Sequence, residues 1–462
     1  MTERWLYAWG LGSVAFGGAS LLVPLYIVQL GATPVQLGLL AATAALIGAP
    51  GAILFGRLAN RVEHRRTLVL VTLAAVAVAL AAIPFLPTIT SVIVANAVLW
   101  LVVASIAPVL TMLVVDDAPE SRWSERIGRL NKYQGYGWAG GLVLGTVWPL
   151  VAPRLVGAQA VTQALFWVLA ACAGASTLGA AGSLPNPRPA DHVTAERRVR
   201  RVARILSGSR RGIKGATFAF SPNRLYWTTR GIHLGRLRTR LDPTLLTYLL
   251  AAGLFFTGFA AFWAPLPLFF TDEGFASGQV FALYLVSSLG SAVCYQGAGR
   301  FASTYDVRLL QSGALAARGV LFPVVAVVTG LGALSVGLVT AGAGLAAIGV
   351  TWAFIAVVGT AIVTRLAPAG VRGEVLGLHT ALGAVAGGIG GVLGGWLAAL
   401  GYLVAFGVAG GLVLVGAALV LSLRILSDGR TATASPSEPA NEVDGDAIPA
   451  GSSDGVVDPH ID

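Results

Sequence analysis

The sequence predicts an all-helical integral membrane protein of twelve transmembrane segments, built as a six-plus-six duplication. Three observations lead there. Apolar residues fill 56% of the 462 positions and charged residues 11%, with a mean hydropathy of +0.77, whereas roughly 25% of residues in a soluble domain are charged. The apolar residues fall into twelve runs, each close to the ~20 residues a helix needs to cross the hydrocarbon core. Motifs of the first half also return in the second at fixed offsets, the mark of a copied unit.

The runs cover residues 6–29, 35–56, 67–86, 90–115, 134–153, 160–182, 244–270, 278–298, 312–332, 337–364, 376–399 and 402–424. The first exceeds the apolar length of a signal sequence and leads directly into further spans, so it reads as retained. Orientation follows from Lys and Arg, which stay on the cytoplasmic side. An inside N-terminus places Arg4, the Arg57–Arg66 turn, Arg122 to Lys132, the long central loop, Arg300, Arg308, Arg365, Arg372, Arg424 and Arg430 in the cytoplasm and leaves only Arg154 outside. Both termini are therefore expected inside, with the chain in the plasma membrane.

These runs divide the chain into an N-terminal six-helix unit (1–183), a basic cytoplasmic linker (184–242), a C-terminal six-helix unit (243–426) and an acidic tail (427–462). The linker holds fourteen basic against three acidic residues. Within it, residues 196–207 place Val199, Val202, Ile205 and Leu206 at helical spacing opposite a row of arginines. Such a helix suits the surface of an anionic leaflet. Nucleic-acid binding is the competing reading of a basic run, but a cytosolic loop of a membrane protein is basic without it, and no nucleic-acid partner is expected. The tail has eight acidic residues, one basic residue and many Ser, Pro and Gly, the composition of a solvated, disordered segment. The two cysteines, Cys172 and Cys294, lie inside apolar runs, which excludes a disulfide framework or a thiolate metal site; no cofactor or metal is implied, and a monomer is expected.

The duplication is read from two alignments. At an offset of 243, Pro24, Gly31, Gln36, Gly56, Arg57 and Ala59 meet Pro267, Gly274, Gln279, Gly299, Arg300 and Ala302. At 249, Ala118-Pro119, Gly128, Gly141 and Gly145 meet Ala367-Pro368, Gly377, Gly390 and Gly394. Six extra residues must therefore enter the second half between about 302 and 367.

Between the second and third runs, Gly56 to Arg66 reads G-R-L-A-N-R-V-E-H-R-R, with a shorter echo, G-R-F-A, at 299–302. This turn resembles the signature hairpin of the major facilitator superfamily, G-x-L-a-D-R-x-G-R-R/K. Support comes from Gly31-Ala32-Thr33-Pro34 before the second span, the Arg-rich turn before the fifth, and Ala367 to Glu374 before the eleventh. The resemblance covers residues 5–426. It implies an all-α integral membrane fold of twelve transmembrane helices in two pseudo-symmetric six-helix bundles, a transporter working by alternating access. It also implies a cytoplasmic latch comprising Gly56, Asn60, Arg61, Glu63, Arg65, Gly299 and Arg300. The chain departs from the pattern at Asn60, where the family carries Asp, and at Glu63, where it carries Gly. A neutral hydrogen bond is about half as strong as a charge-assisted one, so the latch is expected to be weaker unless Glu63 supplies the carboxylate. That the arginines only set topology is the alternative.

By the same resemblance, spans 1, 4, 7 and 10 line the cavity. Their polar or aromatic mid-depth residues are Ser20, Tyr26, Asn96, Trp100, Thr257, Trp263, Thr351 and Trp352. Tyr and Trp also serve as interfacial anchors, Tyr26 in particular. Asn96 is the costliest to place in lipid and is expected to face protein or water. The glycines of span 5 (Gly135, Gly137, Gly140, Gly141, Gly145) and of span 11 read as close helix packing.

No Asp or Glu lies in the middle of any span, so the buried carboxylate common in proton-driven carriers is missing and coupling is doubtful. Arg318 is the one charge that could lie within a span. With span 9 beginning at 312 it snorkels to the inner surface; a start near Leu309 would bury it over two turns deep, within reach of an anionic substrate. His379 sits just inside span 11, where a hydrogen-bonded structural role is expected. The chain offers no metal-ligand cluster and no nucleophile with a base, which argues against an enzyme. A transporter of a small organic solute remains, by export or exchange of a neutral or amphiphilic compound. An uptake carrier and a transporter-fold sensor or scaffold without flux are the alternatives.

Overall fold

A computed structural model describes residues 4–61, 65–116, 123–157, 160–184, 242–330, 333–367 and 372–433. The basic helix expected at 196–207, nearly all of the linker, and the tail beyond Thr433 lie outside the described residues. Twelve long helices follow one another: α1 (Trp5–Gln29), α2 (Pro34–Arg61), α3 (Arg65–Ala82, extended by a 3-10 turn Ile83–Phe85), α4 (Ile89–Asp116), α5 (Trp123–Val151), α6 (Val161–Ser183), α7 (Pro243–Trp263, continued by Leu266–Asp272), α8 (Ser277–Thr304), α9 (Val307–Thr329), α10 (Leu334–Leu366), α11 (Arg372–Ala398) and α12 (Tyr402–Thr433). Among the described residues, nine are long and apolar enough to cross a membrane; α2 and α4 add apolar stretches at Pro34–Ile47 and Ile89–Ala104. Large apolar side chains on the exterior, among them Val78, Leu178, Val293 and Val339, are exposed. In water such a surface would drive association; in a bilayer it faces lipid tails as apolar as itself.

The packing repeats between the halves. Helix α1 packs on α5 and α6, α2 on α4, and α3 on α6; in the same way α7 packs on α11 and α12, α8 on α10, and α9 on α12. Individual residues carry the repeat further. Gly31 and Gly274, 243 apart, both take positive φ (83° and 86°), a conformation open to glycine because it has no Cβ. Five residues on, Gln36 Oε1 accepts from the Thr33 N–H and Gln279 Oε1 from the Ala276 N–H, each at 2.8 Å. These bonds satisfy a donor left free at a helix start. At the other end of the bundles, the Arg66 guanidinium donates to the Ala181 carbonyl and Arg308 to the Leu423 carbonyl at 3.1 Å. Each arginine thus ties the start of α3 or α9 to a carbonyl of α6 or α12; Ala181 lies in the last turn of α6, where the helix dipole favours a cation, and Leu423 lies inside α12.

Several expected boundaries change. Helix α5 begins at Trp123 rather than 134, since its first turns carry polar and charged residues that hide a helix from a hydropathy reading. Helix α12 runs to Thr433 and takes in the first residues of the expected tail. Helix α9 begins at Val307, capped by the Asp306 carboxylate accepting from the Arg308 N–H at 2.7 Å. The register of α3 against α9 is 242, set by the Arg66 and Arg308 contacts, so Arg318 matches Val76. Much of the extra length in the second half lies in α10, 33 residues against 28 for α4.

Candidate functional site

Two seams join the bundles at the end of the molecule that holds Gly31 and Gly274, beside a contact of α1 with the last turns of α7. In the first, α2 lies against α11. A Cβ built on Gly38 would stand 2.5 Å from the Gly391 carbonyl oxygen and 3.1 Å from the Gly395 Cα; only glycine lets two backbones approach so closely. In the second, α5 lies against α8: the Phe281 ring covers Gly145, and Gly278 faces the Thr146 carbonyl and the Pro149 ring. The seams are pseudo-symmetric, since Phe281 is the counterpart of Gly38 at the 243 offset. One is flat and one is a ring set over a glycine.

The interior of each bundle is built on its own glycines. Gly137 and Gly141 bring α5 onto the backbone of α1 at Gly10 and Val14, and Gly390 and Gly394 bring α11 onto α7 at Thr257 and Ala261. Of the glycines expected to serve packing, Gly137, Gly141, Gly145, Gly390 and Gly394 thus lie at helix crossings, whereas a Cβ on Gly135 would meet nothing within 4 Å. Aromatic rings fill the C-terminal bundle, with Phe255, Phe262, Phe270, Phe281, Phe322 and Phe406 fully buried. Phe262 and Phe322 stack at 4.0 Å.

Against this frame the cavity candidates separate. Ser20, Trp100, Thr257, Trp263 and Trp352 are half-buried. The Ser20 hydroxyl donates to the Gly17 carbonyl and the Thr257 hydroxyl to the Gly253 carbonyl, bonds within their own helices. Trp100 lies 6.4 Å from Trp138 of α5, and Trp263 meets Tyr284 of α8 edge-on at 5.1 Å. Tyr26 is buried in bundle packing: its hydroxyl donates to the Pro84 carbonyl at 3.3 Å and its ring meets Phe166. Asn96 is buried. Among the latch residues, Gly56, Asn60 and Arg61 fall in the last turns of α2, Arg65 opens α3, and Glu63 lies outside the described residues. Gly299 and Arg300 lie near the end of α8, with Arg300 exposed.

Arg318 is where the structure departs most from the expectation. It does not snorkel. The residue is 3% exposed, three turns into α9, and its guanidinium points into the C-terminal bundle. It lies 4.4 Å from the centre of the Phe259 ring of α7, 5.4 Å from Trp352 of α10 and 5.6 Å from Phe322. One Nη donates to the Ile348 carbonyl at 3.1 Å and, more weakly, to the Thr351 hydroxyl at 3.4 Å; that hydroxyl itself donates to Ile348. Nε has no partner. Thr351 and Trp352, adjacent on α10, are thus joined by one cation.

A second group escaped the sequence reading. The Tyr248 hydroxyl and the Gln311 amide are 3.0 Å apart, both buried, and Tyr248 also lies 3.4 Å from the Gly359 carbonyl. His379 stacks on Tyr248 at 6.0 Å and meets Phe256 edge-on at 5.4 Å. Gln311 was hidden by the late expected start of α9; a glutamine between Leu310 and Ser312 of an apolar stretch was the available signal.

The sequence profile of the Major Facilitator Superfamily matches residues 8–357. The chain belongs to this superfamily. Solved structures agree on its fold. A crystal structure of a variant of the nucleoside transporter NupG is 13% identical, with a TM-score of 0.63 over 91% of this chain and 99% of that one. A bacterial homologue of the human lysosomal transporter Spinster, in an inward-facing and unoccupied conformation, is 12% identical, with a TM-score of 0.61 over 95% and 98%. NupG without the substitution gives 13% and 0.61 over 92% and 99%. No curated protein sequence matches. In this major facilitator the paired seams, the half-buried tryptophans and the enclosed cation are therefore parts of a membrane transport protein.

Proposed function

We propose that the chain is a secondary transporter that carries a small amphiphilic organic solute between its two bundles by alternating access, in export or exchange. The observation that carries this reading is the pair of seams. The bundles meet at one end through close backbone contacts, and a rocking motion that parted these contacts would open that end. Basic loops stay cytoplasmic, so the end joined by the seams faces outward and both termini face the cytoplasm of a plasma-membrane protein. The half-buried Ser20, Trp100, Thr257, Trp263 and Trp352 supply the hydroxyl and aromatic surface expected of a site for such a solute.

Arg318 inside the C-terminal bundle adds a fixed charge to these hydroxyl and aromatic groups. The latch at Asn60, Arg61, Glu63 and Arg65 holds the cytoplasmic side when the outer side is open, and Asn60 weakens it. Asn60→Asp is expected to raise the outward-open population, read from spin-label distances across the cytoplasmic ends; an unchanged balance would remove the weakened latch. The transport reading itself is tested with purified protein in proteoliposomes and a panel of amphiphilic solutes. Saturable counterflow is expected. Ligand-induced thermal stabilisation without flux for any solute would instead identify a transporter-fold sensor.

A further inference from the structure

The wall of the C-terminal bundle holds a guanidinium whose electrostatic neighbour among the described residues is the Tyr295 phenol, with no carboxylate hydrogen-bonded to it. Among the described residues the acidic groups nearest in sequence are Asp272, Glu273 and Asp306, all at helix ends and not beside Arg318. A cation in the middle of a membrane helix is expensive, roughly 2.5–3.5 kcal/mol on insertion scales, and is found where it pairs or works. Here one carbonyl and the faces of Phe259, Phe322 and Trp352 offset part of that cost. The fork is not filled: Nε points at no acceptor, and a guanidinium binds a planar anion through parallel donors. Phe259 and Phe322 are buried while Trp352 is half-buried, so Trp352 is the ring able to yield to a ligand.

We propose that Arg318 is the anion-recognising group of the substrate site, and that the solute is an organic anion, a carboxylate or phosphate ester attached to an apolar or aromatic body. The anion occupies the free edge of the Arg318 fork and the Thr351 hydroxyl, and the body lies against Trp352 and Phe259. This rests on the transporter reading and sets its substrate class. It also gives the guanidinium a conformational role: a bound anion neutralises the site, so the loaded and empty bundles differ in buried charge.

The test uses the full-length protein in detergent and then in proteoliposomes. The probes are benzoate, phenylacetate, phenylpropionate, octanoate and phenyl phosphate, the carboxylates each set against their own amide. At least one anion is expected to raise the unfolding midpoint and to quench tryptophan fluorescence, while its neutral counterpart does neither. Arg318→Lys keeps the charge and loses the fork, and should weaken that anion about tenfold; Arg318→Gln should abolish it. Should Arg318→Gln fail to fold, Thr351→Val serves instead and is expected to weaken the anion severalfold with the protein intact. Phenyl phosphate against benzoate distinguishes the two anion types. Equal stabilisation by acid and amide, no stabilisation by any anion, or an unchanged affinity in Arg318→Lys overturns the proposal. Saturable flux of a neutral amphiphile with no difference within the acid and amide pairs would sink this inference and leave the transporter standing. Anion binding without flux would do the reverse.

Discussion

Val76 on α3 and Arg318 on α9 occupy equivalent places, 242 residues apart, and both are buried. Around them the two bundles use the same parts: the positive-φ turns at Gly31 and Gly274, the glutamines that close them, and the arginines that tie α3 to α6 and α9 to α12. What differs is the filling. The N-terminal bundle buries an aliphatic side chain where the C-terminal one buries a guanidinium among aromatic rings. The comparison teaches that duplication preserved the positions that fix backbone geometry, while the chemistry able to recognise a solute was placed in one half.

If the framework is shared, matched substitutions in the two halves must have matched effects. The largest are expected at the helix crossings. Gly141→Val and Gly390→Val push a side chain into the Val14 and Thr257 backbones, and each should lose about 2–3 kcal/mol of stability, read from thermal unfolding in detergent. A loss at one site alone would break the equivalence. Next are the seams, where the halves do differ. Gly38→Val should separate α2 from α11 without unfolding either bundle, lengthening the distance between spin labels at the exposed Leu39 and Val392. Gly278→Val, in the looser contact with Thr146 and Pro149, should do less. Arg66→Gln and Arg308→Gln should each cost about 1–2 kcal/mol, by loss of a charged donor to a helix carbonyl. The smallest pair is Gln36→Ala and Gln279→Ala, at about 0.5 kcal/mol each. Unequal values there would show that the two turns are not held alike.

Much of this architecture was legible in the chain. Apolar runs mark spans because lipid leaves a helix no polar partner outside itself, and Gly31, Gln36, Gly274 and Gln279 mark the repeat because their roles are local. Helix starts rich in charge were not legible. Trp123 to Lys132 reads as a loop by composition, and Arg308, Gln311 and Arg318 made the first turns of α9 look like the end of a turn. The site was hidden for a different reason. Nothing in the order of residues says that Phe259, Phe322 and Trp352, from three helices, converge on one arginine, or that Tyr26 is bonded to Pro84. Those are facts of packing between distant segments, and hydropathy is blind to them.

Helix α1 runs unbroken past Pro24, but α7 stops at Trp263 and resumes at Leu266, with Pro265 and Pro267 at the junction. Proline carries no N–H, so the Ala261 and Trp263 carbonyls lack an in-helix donor. The final turns of α7, which pack beside α1, are thereby jointed to the part that holds Phe259 against Arg318. In the first half α1 is continuous through Pro24, whereas in the second α7 has an elbow within two turns of Phe259. A local bend there could seal or expose the guanidinium before the halves rock at all.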